Sequence, residues 1–203
     1  IKNITIPHLV NSIGEFAFSE CLSLEQITII SSATTIEKGA FAKCLLLKEI
    51  SITSSINSCV TEIKDYLFNG CSTLAQITIP SSVTSIGEYA FCGCSSLKQI
   101  IIPSHVTSIG EYAFSKCVKL KHIVIPSSVT SIGRGAFSGC SSLLKLEIPY
   151  SVVLIEEYLL NGCTSLTEIT IPYSITSIKK YAFNGCSSLE QIKIPPSVAS
   201  IES

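Results

Sequence analysis

No run of apolar residues in this sequence approaches the roughly 18–20 needed to cross a bilayer as a helix, so membrane insertion of this segment is not expected. Charge is sparse as well: 14% of the residues are charged against 46% hydrophobic, far too apolar a balance for intrinsic disorder. Fourteen basic and fifteen acidic residues leave a net charge of −1 with both signs scattered. That balance offers no basic stripe for nucleic acid and no polybasic membrane patch. The parts of acid–base chemistry are missing too. Asp65 is the single aspartate, and His8, His105 and His122 are the three histidines. No GxSxG, HExxH, Walker A or GxGxxG motif occurs. Glu156 and Glu157 are adjacent carboxylates, read as solvated rather than as a catalytic pair. Catalytic residues, a cofactor and a metal are therefore not expected, and the chain is not read as an enzyme.

What the sequence has instead is one unit, repeated. Ser81–Pro103 reads SSVTSIGEYAFCGCSSLKQIIIP; Ser104–Pro126 and Ser127–Pro149 follow as further copies without a gap. Full copies occupy 8–30, 31–53, 54–80, 81–103, 104–126, 127–149, 150–172 and 173–195, with partial ones at 1–7 and 196–203. A fixed period of this size signals a solenoid, a single quasi-linear body however long it grows. Residues 1–203 are thus read as one array, cut from a longer protein; the opening IKNITIP belongs to the repeat and not to a secretory signal. The copy at 54–80 has 27 residues where the others have 23. Its four extra residues, near Ser54–Cys59, are expected to bulge from one edge without disturbing the stack.

Apolar residues form ladders across the copies: Ile13 to Ile178, Leu24 to Leu189, and Phe18, Phe41, Phe68, Phe91, Phe114, Phe137, Leu160, Phe183. Seven of the eight phenylalanines sit in that one ladder, as core spacers. Leu97–Pro103 alternates inward residues at Ile100 and Ile102 with strand period, and proline ends the strand. Stacked in register, eight such strands about 4.8 Å apart make a parallel sheet roughly 35–40 Å long. Ile86, Ala90, Cys94 and Leu97 fall at intervals of four, four and three, which predicts a helical or 3-10 turn over GEYAFCGC. Gly87 and its equivalents alternate with Glu37, Lys64, Glu156 and Lys179, so that position needs no positive φ.

The pattern carried by Cys94, Leu97, Ile100, Ile102, Pro103, Val106, Ile109, Ala113, Phe114 and Cys117 resembles the BspA-like, Treponema-type leucine-rich repeats. The resemblance covers essentially the whole chain. It implies a curved right-handed leucine-rich-repeat solenoid, with a parallel sheet on the concave side and short helical turns on the convex side. Members are similar to bacterial and protozoan surface antigens associated with adhesion to host proteins or other cells. The resemblance therefore implies a protein-binding module at the cell surface or secreted. An intracellular scaffold and a purely structural spacer array are the alternatives.

Eight of the ten cysteines occupy one ladder position, from Cys21 to Cys186, and are expected to be buried, reduced and apolar in role. Cys59 and Cys92 lie off it, and Cys92-Gly-Cys94 has no partner motif for zinc. Asn3-Ile4-Thr5 is a glycosylation triplet of little weight. Binding is expected on the outward residues of the strands: Gln76, Thr78, Gln99, Ile101, His122, Val124, Lys145, Glu147, Glu168 and Thr170. Among these, Ile101 and Val124 form an apolar pair beside His122. A broken aromatic row, Phe16, Tyr66, Tyr89, Tyr112, Tyr158 and Tyr181, marks the turn side, where each ring is expected to lie over the adjacent turn. The partner is expected to be another protein, and cut ends invite self-association.

Overall fold

The computed structural model describes residues 1–30, 35–52 and 60–202. It is a parallel β-solenoid of about eight turns, and the described residues contain no helix. Most turns carry a strand of two to four residues on two of their sides, and every strand pair is parallel and offset by one repeat, as in Gln99↔His122 and Ile86↔Ile109. The alternation of the sequence is obeyed closely. Ile100 and Ile102 are buried, while Ile101 between them is 81% exposed.

The core runs the length of the stack. The phenylalanines from Phe18 to Phe137 stack face to face, with ring centroids 5.4–6.0 Å apart. Leu160 replaces the ring in the next layer and is fully buried. The cysteine ladder lies beside it. All nine cysteines among the described residues are free; Cys59 falls outside them. Each ladder thiol from Cys44 to Cys186 donates to the main-chain carbonyl at the Phe-ladder position of the preceding repeat, at 3.1–3.2 Å. The thiol is therefore more than a small apolar filler: it adds a second hydrogen bond to a carbonyl that already accepts the cysteine amide of its own repeat, as Phe91 O does from Cys94 N.

The helical spacing of the turn proves misleading. Each turn instead contains two residues in the left-handed region four positions apart, Tyr89 (φ 52°) and Gly93 (φ 76°) in one copy, Tyr112 (φ 51°) and Lys116 (φ 58°) in the next. Two such residues cannot belong to a right-handed helix. The chain forms successive tight turns, with Ala90, Cys92 and Cys94 amides donating to carbonyls three residues back. The intervening amides of Tyr89, Phe91 and Gly93 donate to Glu111, Ala113 and Ser115 of the next repeat at 2.8 Å. Buried Ile86, Ala90, Cys94 and Leu97 mimic a helical stripe because alternate residues turn inward, not because a helix forms. As expected, Gly87, Gly110 and Gly133 are not left-handed; a Cβ on Gly110 would stand 2.6 Å from the Gly87 carbonyl carbon, so close backbone approach is what glycine permits there.

A second expectation also fails. The strand-face sheet does not run unbroken: it consists of Asn3–Ile6, Gln26–Ile29 and Glu49–Ile52, then Gln99–Ile101 with His122–Val124, then Lys145–Glu147 with Glu168–Thr170. Residues 76–79, in the 27-residue repeat, keep the inward burial of Ile79 but form no ladder. The four inserted residues themselves lie outside the described residues.

Candidate interaction surface

The outward positions of the strands build a regular lattice, because parallel in-register pairing places residue i beside residue i+23. Gln99 lies beside His122, and Ile101 beside Val124. Lys145 lies beside Glu168, and Glu147 beside Thr170. Ile101 and Val124 are 81% and 79% exposed, side by side, with no polar group between them. His122 and Gln99 are exposed next to them. Lys145 bridges Glu147 at 3.0 Å and Glu168 at 2.9 Å, and its hydrogen bonds to the two carboxylates hold its ammonium pKa above the ordinary value. Gln76 and Thr78 are exposed too, but they belong to the segment that leaves the ladder, so the structure does not bring them into register with the rest. Beside them an open groove of about 720 Å³ runs between Glu49–Ser51 and Gln99–Ile101.

The opposite surface is dressed differently. Tyr66, Tyr89 and Tyr112 stack at 5.0 Å, as do Tyr158 and Tyr181. Where glycine interrupts the row, the preceding ring fills the gap: a Cβ on Gly39 would meet the Phe16 ring at 2.2 Å, and one on Gly135 the Tyr112 ring at 2.3 Å. Arg134 covers Tyr158 at 5.1 Å and bridges Glu157 at 3.2 Å, and Lys38 covers Tyr66 at 5.2 Å. Tyr66, Tyr89 and Tyr112, and Tyr158 with Tyr181, thus lie ring over ring in adjacent turns. His105 is exposed and replaces a serine that in other copies donates to a carbonyl of the preceding repeat, as Ser82 to Val60 and Ser128 to Val106. Burial pushes the Cys92 thiol pKa up, so it has none of the thiolate character of a reactive cysteine. No group of three metal-ligating side chains occurs among the described residues.

One feature of this surface is hidden by the overall charge. Residues 89–146 contain six of the fourteen basic residues and one acid, Glu111. Four of those lysines, Lys98, Lys116, Lys119 and Lys121, are exposed in adjoining turns at the entry to the strands. A windowed charge count would have found them; the whole-chain balance did not.

The sequence matches the family described as the BspA type leucine-rich repeat region over residues 1–121, 61–163 and 107–203. No curated protein matches it significantly. Among solved structures, a leucine-rich repeat protein from Bacteroides ovatus is 31% identical, with a TM-score of 0.90 over 99% of this chain. The chain spans about half the length of that protein, 53%. The leucine-rich repeat protein of Treponema pallidum is 26% identical, with a TM-score of 0.65 over 92% of this chain and 77% of its own. One from Eubacterium ventriosum, 21% identical over 100% of this chain and 81% of its own, has the same fold with a TM-score of 0.62. With the matches spanning its entire length, the chain belongs to the BspA-type leucine-rich repeat family.

Proposed function

We propose that this array is a non-catalytic protein-binding module of a cell-surface protein, acting in adhesion or host-protein binding through its strand face. The observation that carries the reading is the Ile101–Val124 pair, two β-branched side chains about four-fifths exposed and adjacent in register. Single exposed apolar residues are ordinary, whereas a contiguous pair on a rigid sheet, flanked by Gln99 and His122, is the form of an interaction patch. The placement outside the cell rests on the family resemblance. A scaffold inside the cell is the second reading, favoured by the free thiols.

The test is a panel of immobilised extracellular-matrix proteins, probed by biolayer interferometry with the chain and with its Ile101→Lys/Val124→Lys variant. Wild type binds at least one member, and the variant binds that member about tenfold or more weakly with an unchanged circular dichroism spectrum. A variant that binds as well as wild type, or a wild type that binds nothing, sinks the reading.

A further inference from the structure

We infer that the partner segment received by this face is an extended acidic polypeptide that alternates carboxylate and apolar side chains, an inference that rests on the strand-face reading above. A column of residues one step before the outward strand positions carries it. In successive repeats that column reads Lys98, Lys121 and Leu144, parallel to Gln99, His122 and Lys145 and then to Ile101, Val124 and Glu147. The Lys121 amide donates to the Lys98 carbonyl at 3.3 Å, so the two lysines occupy adjacent layers. Like charges side by side in adjacent layers, here just before the strands Gln99–Ile101 and His122–Val124, repel and destabilise.

The same column elsewhere shows how the fold handles this position when nothing but stability is at issue. Glu25 and Lys48 occupy it three and two repeats before Lys98, and they pair at 2.7 Å; on the nearby turn Lys43 pairs with Glu20 at 2.7 Å. Lys98, Lys121 and the adjoining Lys116 and Lys119 have no acidic partner within ion-pair distance among the described residues. A local rule broken without a compensating contact inside the molecule points to a contact outside it. Charge complementarity makes that contact acidic. The apolar side chains set among the lysines, Ile101, Val124 and Leu144, 39% exposed, select a polypeptide over a sulfated glycan or nucleic acid, because neither polyanion offers aliphatic groups to cover them. The one aromatic ring in these columns is the His122 imidazole, and no phenylalanine, tyrosine or tryptophan stands there to build a row of stacking platforms for bases.

The probe is a short fluorescein-labelled peptide of alternating glutamate and valine, followed by fluorescence anisotropy with the intact chain. Binding is expected at low salt, weakening about tenfold or more at high salt, with no binding of the glutamine–valine peptide of equal length. Lys121→Glu sets a carboxylate beside Lys98, as Glu25 stands beside Lys48; it is expected to weaken the probe about tenfold or more while leaving the melting temperature equal or higher. The variant Lys98→Ala/Lys121→Leu, built from residues that other repeats place in this column, weakens it likewise and guards against a folding defect. Absence of probe binding, equal binding of the glutamine peptide, or heparin binding as tight as the peptide's overturns the inference. The two levels separate cleanly. If a matrix protein still binds Lys98→Ala/Lys121→Leu but not Ile101→Lys/Val124→Lys, the acidic partner is wrong and the strand face stands. If it binds both variants unchanged, the strand face itself is wrong.

Discussion

Raising the pH from 8 to 10 is expected to unfold this protein, with a melting temperature falling steeply above pH 9. Burial lifts the thiols of Cys94, Cys117 and Cys140 well above their ordinary pKa near 9.0, with neighbouring ladder cysteines adding to the effect. Cys71 and Cys163 are raised in the same way, and Cys44 to about 11. A thiol whose folded pKa lies above its unfolded one contributes fully below the unfolded value and loses that contribution as pH climbs toward the folded one. Each such thiol, ionised when unfolded and protonated when folded, withdraws about 1.4 kcal/mol for every pH unit above its unfolded pKa. The five most deeply buried together withdraw roughly 7 kcal/mol by pH 10, comparable to the 5–15 kcal/mol that holds a typical domain together. Thermal melts between pH 7 and 10.5, followed by circular dichroism and thiolate absorbance, measure this. A melting temperature flat through pH 10 contradicts a protonated thiol ladder.

Phe114→Ala is the most damaging single truncation expected, at about 3–5 kcal/mol. The ring is wholly buried, with its neighbours Phe91 and Phe137 stacked at 5.4 and 5.7 Å, and neither can swing in to fill the void because each is held by its own next layer. Repeats contact only their neighbours, so a defect in the fifth full copy weakens both halves of the stack at one seam. Phe114→Leu is the matched control, because Leu160 occupies the equivalent site fully buried; its cost should be under half that of alanine. Urea denaturation of the three proteins checks this, and equal stability of wild type and Phe114→Ala would refute the stacked core.

Much of this architecture was legible in the residues. The 23-residue period places every inward ladder, and strand alternation separates buried Ile100 and Ile102 from exposed Ile101 without ambiguity. The turns were not legible, for a physical reason: an aromatic residue at φ near 52°, as at Tyr89, is held there by interlocking hydrogen bonds to the next repeat, and no local propensity announces it. The second left-handed position is glycine in five copies but Glu20, Lys43 or Lys116 in three, so its signal was diluted. The break at residues 76–79 depends on how the longer repeat meets its neighbours, which a period alone does not specify. At the surface, the outward series was readable as positions, and the pairing of Ile101 with Val124 followed from the register. The unpaired lysines emerged only when the stack showed which acids stand too far away to meet them.

Amide hydrogen exchange on the intact chain decides which face meets a partner. With a matrix protein that the chain binds, protection should concentrate at residues 98–101, 121–124 and 144–147. Protection confined to the tyrosine row around Tyr66, Tyr89, Tyr112 and Tyr158, with the strand face unchanged, would contradict it.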